Sequence, residues 1–204
     1  SDRIGEAETL SSLGITWEAQ GDWDKAASTY QQALEVLQEV GDHYGQAQVL
    51  TNLGNVAWLQ RRYDEAIQFY ESGLSLARSL GDAQLEGSLL GGLGDVYRSQ
   101  GRLMEAEETL RLALVRKAAA GDRRSQSITY LELGALLHQS GRLDEAETAY
   151  RQALDLAQAT GDRRVPTHTR INLARLAMLR EQANEAHDHL DEAEAVSYTH
   201  LTLP

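Results

Sequence analysis

The amino-acid sequence predicts an all-α protein made of five tandem helix-turn-helix repeats, each 40 residues long. Three observations predict it. Short markers recur at a fixed spacing of 40 residues, the signature of a repeat architecture. Between the markers, apolar residues keep helical periodicity. The composition also favours helices. Apolar residues make up 42% of the chain but aromatics only 6%, Ala and Leu dominate, and there are two prolines in 204 residues.

The markers assign the joints. Gly-Asp occurs at Gly41-Asp42, Gly81-Asp82, Gly121-Asp122 and Gly161-Asp162. Gly after a helical run takes the left-handed conformation that stops a helix. The Asp after it caps the amides of the next helix. Gly-Asp therefore reads as the joint between repeats. A second joint lies within each repeat, at Gln20-Gly21-Asp22, Gln60-Arg61-Arg62, Gln100-Gly101-Arg102 and Ser140-Gly141-Arg142. Each repeat is thus cut into two helices of roughly 17 residues, about 25 Å long.

The helices carry their own markers. Leu-Gly recurs in the first helix at Leu13-Gly14, Leu53-Gly54, Leu93-Gly94 and Leu133-Gly134, with Leu173-Ala174 as the fifth copy. In the second helix, Ala26, Ala66, Ala106, Ala146 and Ala186 are in register, each followed four residues later by Tyr30, Tyr70, Leu110, Tyr150 or Leu190. Leu10, Leu13, Gly14 and Trp17 share one face, as do Ala26, Tyr30, Ala33, Leu34 and Leu37. The small residues let two backbones approach, and large ones such as Tyr30 beside Gly14 are expected to fill the space between them.

This arrangement resembles the tetratricopeptide repeat, whose usual unit of about 34 residues has Leu-Gly in its first helix and Ala, an aromatic and Ala in its second. Repeat two offers Leu53-Gly54, Tyr63, Ala66, Tyr70 and Gly73; repeat four offers Leu133-Gly134, Leu143, Ala146, Tyr150 and Ala153. The likeness covers about residues 2 to 196. The proline that usually ends the second helix is missing, with Gln38, Arg78, Ala118 and Gln158 at that offset. The chain looks like the longer, 40-residue variant found in bacterial multidomain signalling and regulatory proteins. The resemblance implies a right-handed α-solenoid, with repeats at about 2–40, 41–80, 81–120, 121–160 and 161–196.

The fifth repeat is degraded. Ala174, Glu181, Ala183 and Glu194 stand where Gly, Gly, a bulky residue and Leu are expected. It reads either as a polar end cap or as simple divergence. Residues 197–204 abandon the repeat. They resemble translated sequencing-adapter sequence and are expected not to be native, and the chain is read as a fragment of a longer protein.

Charge and chemistry exclude several functions. The net charge is −12, and half of it lies in the first forty residues. An acidic chain without a basic stripe is a poor nucleic-acid ligand, because neutralising phosphates supplies most of that affinity. There is no cysteine, which removes disulfides and zinc-thiolate sites and fits a cytoplasmic location. No apolar stretch reaches membrane-spanning length. His43, His138, His168, His187, His189 and His200 are scattered, and His187 and His189 point in different directions on a helix. Asp64-Glu65, Glu105 and Asp144-Glu145 read as favourable charge at helix N-termini. Gly91-Gly92-Leu93-Gly94 falls mid-helix and is not a phosphate loop. The chain is expected to have no catalytic site, metal or cofactor.

The resemblance implies that the first helix of each repeat lines a concave binding face. Its inward offsets hold Gln48, Thr51, Asn52 and Asn55 in repeat two, and Ser88, Gly91, Asp95 and Arg98 in repeat three. They hold Ile128, Leu131, Glu132, Ala135 and His138 in repeat four, and His168, Asn172 and Arg175 in repeat five. Asn side chains at such places hold an extended peptide backbone, and Arg98 and Arg175 accept carboxylates. The peptide-binding groove is therefore assigned to Gln48, Asn52, Asn55, Ser88 and Asp95, continuing through Arg98, Glu132, His138, Asn172 and Arg175. Within this family the chaperone-tail clamp needs Lys at these offsets and is absent. The expected function is a scaffold for a protein or peptide segment, with no nucleic acid or membrane as partner. The alternative is a sensor or autoinhibitory arm that contacts other domains of its own full-length chain.

Overall fold

The computed structural model describes residues 2–162 and 164–198, and all regular structure among them is helical. The first repeat contributes α1 (Arg3–Ala19) and α2 (Trp23–Val40), and the second α3 (His43–Leu59) and α4 (Tyr63–Leu80). The third contributes α5 (Ala83–Ser99) and α6 (Leu103–Ala119), and the fourth α7 (Arg123–Gln139) and α8 (Leu143–Thr160). The last pair is α9 (Arg164–Leu179) and α10 (Ala183–Tyr198). The fold is an all-α solenoid. Of the expected tail at 197–204, Ser197 and Tyr198 belong to α10, and residues 199–204 lie outside the described residues.

The joints arise from the residues that occupy them. Gly41, Gly81, Gly121 and Gly161 are left-handed, with φ of 72°, 67°, 71° and 68°. The adjoining aspartates cap the next helix. Asp42 accepts from Gly45 N at 3.0 Å, Asp82 from Leu85 N at 2.9 Å, Asp122 from Ser125 N at 2.9 Å and Asp162 from Val165 N at 3.1 Å. At the joints within repeats, Arg61 and Glu181 adopt the same left-handed turn with φ of 60°. They are held there by the flanking helices despite their side chains.

The chain divides into two compact units, Ser1–Arg116 and Lys117–Pro204. In the first, Tyr30, Leu34 and Leu37 of α2 pack with Leu50, Leu53 and Val56 of α3. A second layer gathers Tyr70, Leu74, Leu89, Leu93 and Val96. Tyr70 is held from two sides. A Cβ at Gly54 would stand 2.7 Å from its Cε1, and one at Gly92 would stand 2.5 Å from its Cζ. In the second unit Tyr150 similarly lies against Gly134, whose Cβ would stand 2.5 Å from the ring. Leu133, Leu136, Leu137, Leu173 and Leu176 are buried in the same unit.

Polar rungs tie successive repeats together. Gln60 Nε2 donates to Asp24 at 2.8 Å and Gln100 Nε2 to Asp64 at 3.3 Å in the first unit. In the second, Arg180 pairs with Asp144 at 2.5 Å. All three join the end of a first helix to the first turn of the second helix one repeat earlier. Asp64 and Asp144, read from the sequence as helix N-terminal charge, also serve here as inter-repeat acceptors.

Two core markers depart from the expected pattern. Leu13 is 42% exposed, whereas Leu53, Leu93, Leu133 and Leu173 are buried. Leu53 is covered by α2 of the repeat before it, and α1 has no preceding repeat among the described residues. Leu190 is 42% exposed, although Tyr30, Tyr70, Leu110 and Tyr150 at its offset are fully buried. Gly14, Gly54, Gly94 and Gly134 lie against those large residues, and this repeat carries Ala174 at the Gly offset.

Candidate peptide-binding groove

In the first unit α1, α3 and α5 enclose an open hollow of about 570 Å³. Gln48, Asn52 and Ser88, three of the residues assigned to the groove from sequence, line it together. The helical period explains this. Gln48 and Asn52 are four apart and share one face of α3, and Ser88 stands one 40-residue period after Gln48 on α5. Gln48 Nε2 donates to the Tyr44 hydroxyl at 3.1 Å. The Asn52 amide is half-buried and bonds to no other side chain among the described residues.

The first repeat supplies side chains that the sequence reading did not assign to the groove. Ile4 and Ile15 of α1 are about half exposed into this hollow, at 51% and 56%, with Tyr44 of α3 opposite them. Ile15 sits at the offset filled by Asn55, Asp95, Ala135 and Arg175 in later repeats. An isoleucine at an offset that is elsewhere polar or small was the legible signal. Glu8 and Asp42 are the acidic residues of the lining, and the lining contains no Lys, Arg or His.

The remaining assigned residues of the first unit have internal partners. Asn55 Oδ1 accepts from the Tyr70 hydroxyl at 2.6 Å, so one end of its amide is committed to the core. Burial, with Asp95 and then Glu18 nearby, pushes the Tyr70 phenol far above its ordinary range and keeps it a hydrogen-bond donor. Arg98, expected to accept a ligand carboxylate, instead reaches Asp95 at 3.2 Å, and its Nε is buried without a partner. In the second unit Glu132 and His138 lie half-buried on α7, Asn172 half-buried on α9, and Arg175 exposed on α9. Burial pushes Tyr150 up to about 12, and the Arg175 charge opposes that rise. Among the described residues no group of three or more His, Asp or Glu is placed to hold a metal ion. None of the described helices is long and apolar enough to cross a membrane.

The tetratricopeptide repeat family model matches residues 5–79, 62–119, 85–159 and 125–198, together almost the whole chain. The chain belongs to the tetratricopeptide repeat family. This tetratricopeptide repeat protein is similar in fold to BtubC (BKLC) from P. vanneervenii, with a TM-score of 0.84 at 22% identity over 97% of this chain and 82% of that one. A Podosopora anserina putative kinesin light chain with nearly identical TPR-like repeats gives a TM-score of 0.76 at 16% identity, covering 100% of both chains. Aspartyl phosphate phosphatase F from Bacillus subtilis gives 0.79 at 16% identity over 97% of this chain and 61% of that one. At these identities the likeness establishes the fold alone. No curated protein matches this tetratricopeptide repeat chain in sequence. Family and fold together make it an interaction scaffold by architecture.

Proposed function

We propose that this protein is a non-catalytic scaffold that captures a protein or peptide segment along the first helices of its repeats. The observation that carries this reading is the hollow between α1, α3 and α5. It combines half-exposed aliphatic side chains, Ile4 and Ile15, with an uncommitted amide at Asn52. Aliphatic side chains facing water in a recess favour an apolar ligand group. An amide with free donor and acceptor fixes a peptide backbone beside it. The residues at the groove offsets of the second unit, Glu132, His138, Asn172 and Arg175, extend the same reading there.

The lining charge narrows the ligand. Glu8 and Asp42 face no cation in the lining, so a segment with an aliphatic side chain next to Lys or Arg is preferred over an acidic one. The test uses short fluorescent peptides with one apolar core, flanked either by Lys or by Glu, titrated against the purified chain. The Lys-flanked peptide is expected to bind more tightly. Asn52→Ala is expected to weaken it by about 1 kcal/mol, roughly fivefold in Kd, with helicity unchanged. If Asn52→Ala and Ile15→Asp leave the affinity untouched, the groove assignment is wrong.

A further inference from the structure

We propose that the outer face of α6 is a self-docking surface through which two copies of this chain associate about a two-fold axis. Met104 and Val115 lie on this face, 86% and 60% exposed. They belong to one helical stripe, Met104, Glu108, Arg111 and Val115, spaced i, i+4, i+7 and i+11. The stripe lies directly opposite the buried side of α6, formed by Ala106, Leu110 and Ala113. No side chain on it takes part in the core of the repeat.

The second helices of repeats one, two and four show what this position holds in the regular repeats, whereas the divergent α10 has Asn184 and Ala195. The residues equivalent to Met104 and Val115 are Asp24 and Glu35 in α2, Asp64 and Ser75 in α4, and Asp144 and Asp155 in α8. All six are exposed and polar. The solenoid therefore does not need apolar residues here, and α6 departs from its own repeat at both ends of one stripe. Met104 and Val115 stand about three helical turns apart on this face, with Glu108 and Arg111 between them.

The pattern identifies the occupant. When two α6 helices are laid antiparallel with the axis midway between Glu108 and Arg111, Met104 meets Val115 of the second copy. In the same register Glu108 meets Arg111 of the second copy. Symmetry repeats both contacts, giving two apolar pairs at the ends and two opposite-charge pairs at the centre. An unrelated partner would not require this palindromic order. Arg111 pairs with Glu107 of its own helix at 2.8 Å, which holds the guanidinium on this side of α6. One helix pair is a small interface, and the −12 charge of each copy opposes association, so the dimer is weak.

Sedimentation equilibrium on the full chain tests this, over concentrations from micromolar to roughly 1 mM, where weak complexes form. The mean mass is expected to rise from monomer to dimer. Met104→Lys with Val115→Lys should raise the dissociation constant about tenfold or more. Glu108→Arg alone should weaken the dimer, and adding Arg111→Glu should restore it. These sites are solvent-exposed, so circular dichroism should show native helicity in every variant. A monomer at all concentrations overturns the proposal. So does a dimer indifferent to the Met104 and Val115 changes, or a Glu108 defect that Arg111→Glu fails to rescue.

Discussion

Replacing Gly54 by Ala tests the packing principle of the array directly. The added Cβ would stand 2.7 Å from Tyr70 Cε1, about 1 Å inside normal carbon–carbon contact. The ring cannot retreat, because it already occupies the space a Cβ would take at Gly92, 2.5 Å from its Cζ. Forcing a methyl group into such a site costs about 3 kcal/mol, the upper end for overpacking. Ala also gains about 1 kcal/mol over Gly in a helix interior. The difference is a net loss of about 2 kcal/mol. Urea unfolding monitored by circular dichroism should show it, with hydrogen exchange of α3, α4 and α5 locating the loss, because repeat arrays do not unfold strictly in two states. The same change in a Tyr70→Leu background should cost less, since the shorter side chain leaves room for the methyl. A Gly54→Ala chain as stable as the parent refutes the reasoning, as does an equal penalty in both backgrounds.

Backbone and charge give two further expected outcomes. Arg61→Gly should stabilise the chain by about 1 kcal/mol in urea titration, because Arg61 holds φ of 60° where Gly21, Gly101 and Gly141 hold 74° to 75°; no gain would mean that the Arg61 side chain contributes a compensating contact. Asp162 is held below the usual carboxylate range by the Val165 amide, against the opposing effect of burial, with the Arg164 amide and Arg124 adding to the lowering. Its contribution is present in full above the unfolded value of about 3.9 and is lost as pH falls through the lower folded value. The melting temperatures of the parent and Asp162→Asn should therefore differ near neutral pH and converge as the solution is acidified below the unfolded value and through the lower folded one; a constant difference would sink the assignment.

The joints and most of the core were legible because each depends on a local requirement that the letters carry. Only Gly takes the left-handed turn without strain, and Asp caps the helix after it, so Gly41-Asp42 marks both the stop and the new start. Leu13 and Leu190 were not legible in the same way. Their register matches buried positions, but burial depends on a neighbouring repeat or on the residue opposite, which the offset alone does not encode. Lys117 shows the reverse. It stands in register with Leu37, Ala77 and Ala157 and is buried like them, its Nζ donating to Thr129 at 2.6 Å. In the hollow of the first unit, helical spacing foresaw that Gln48, Asn52 and Ser88 come together. It missed Ile15, whose exposure depends on the hollow that α1 and α3 form, and it did not foresee that Arg98 would find Asp95 on its own helix.

A single offset links core packing to ligand availability. Gly54 admits the Tyr70 ring, and the ring delivers its hydroxyl to Asn55 on the next position of α3. Asn55 therefore satisfies a buried phenol first, and only its remaining amide hydrogens are open to a ligand. In the first repeat the equivalent residue is Ile15, which cannot accept a hydrogen bond. The Tyr30 hydroxyl donates to Glu18 instead, leaving Ile15 exposed in the hollow. In the third repeat the large residue is Leu110, which has no hydroxyl to deliver, and Asp95 accepts from Arg98. In the first three repeats the residue after the Leu-Gly marker thus differs in what it satisfies: Asn55 takes the Tyr70 hydroxyl, Asp95 takes Arg98, and Ile15 takes neither and stays exposed. Substituting Asn55 would remove the acceptor for Tyr70 together with the proposed ligand contact and could not separate the two. Asn52, one turn earlier and without an internal partner among the described residues, separates binding from stability.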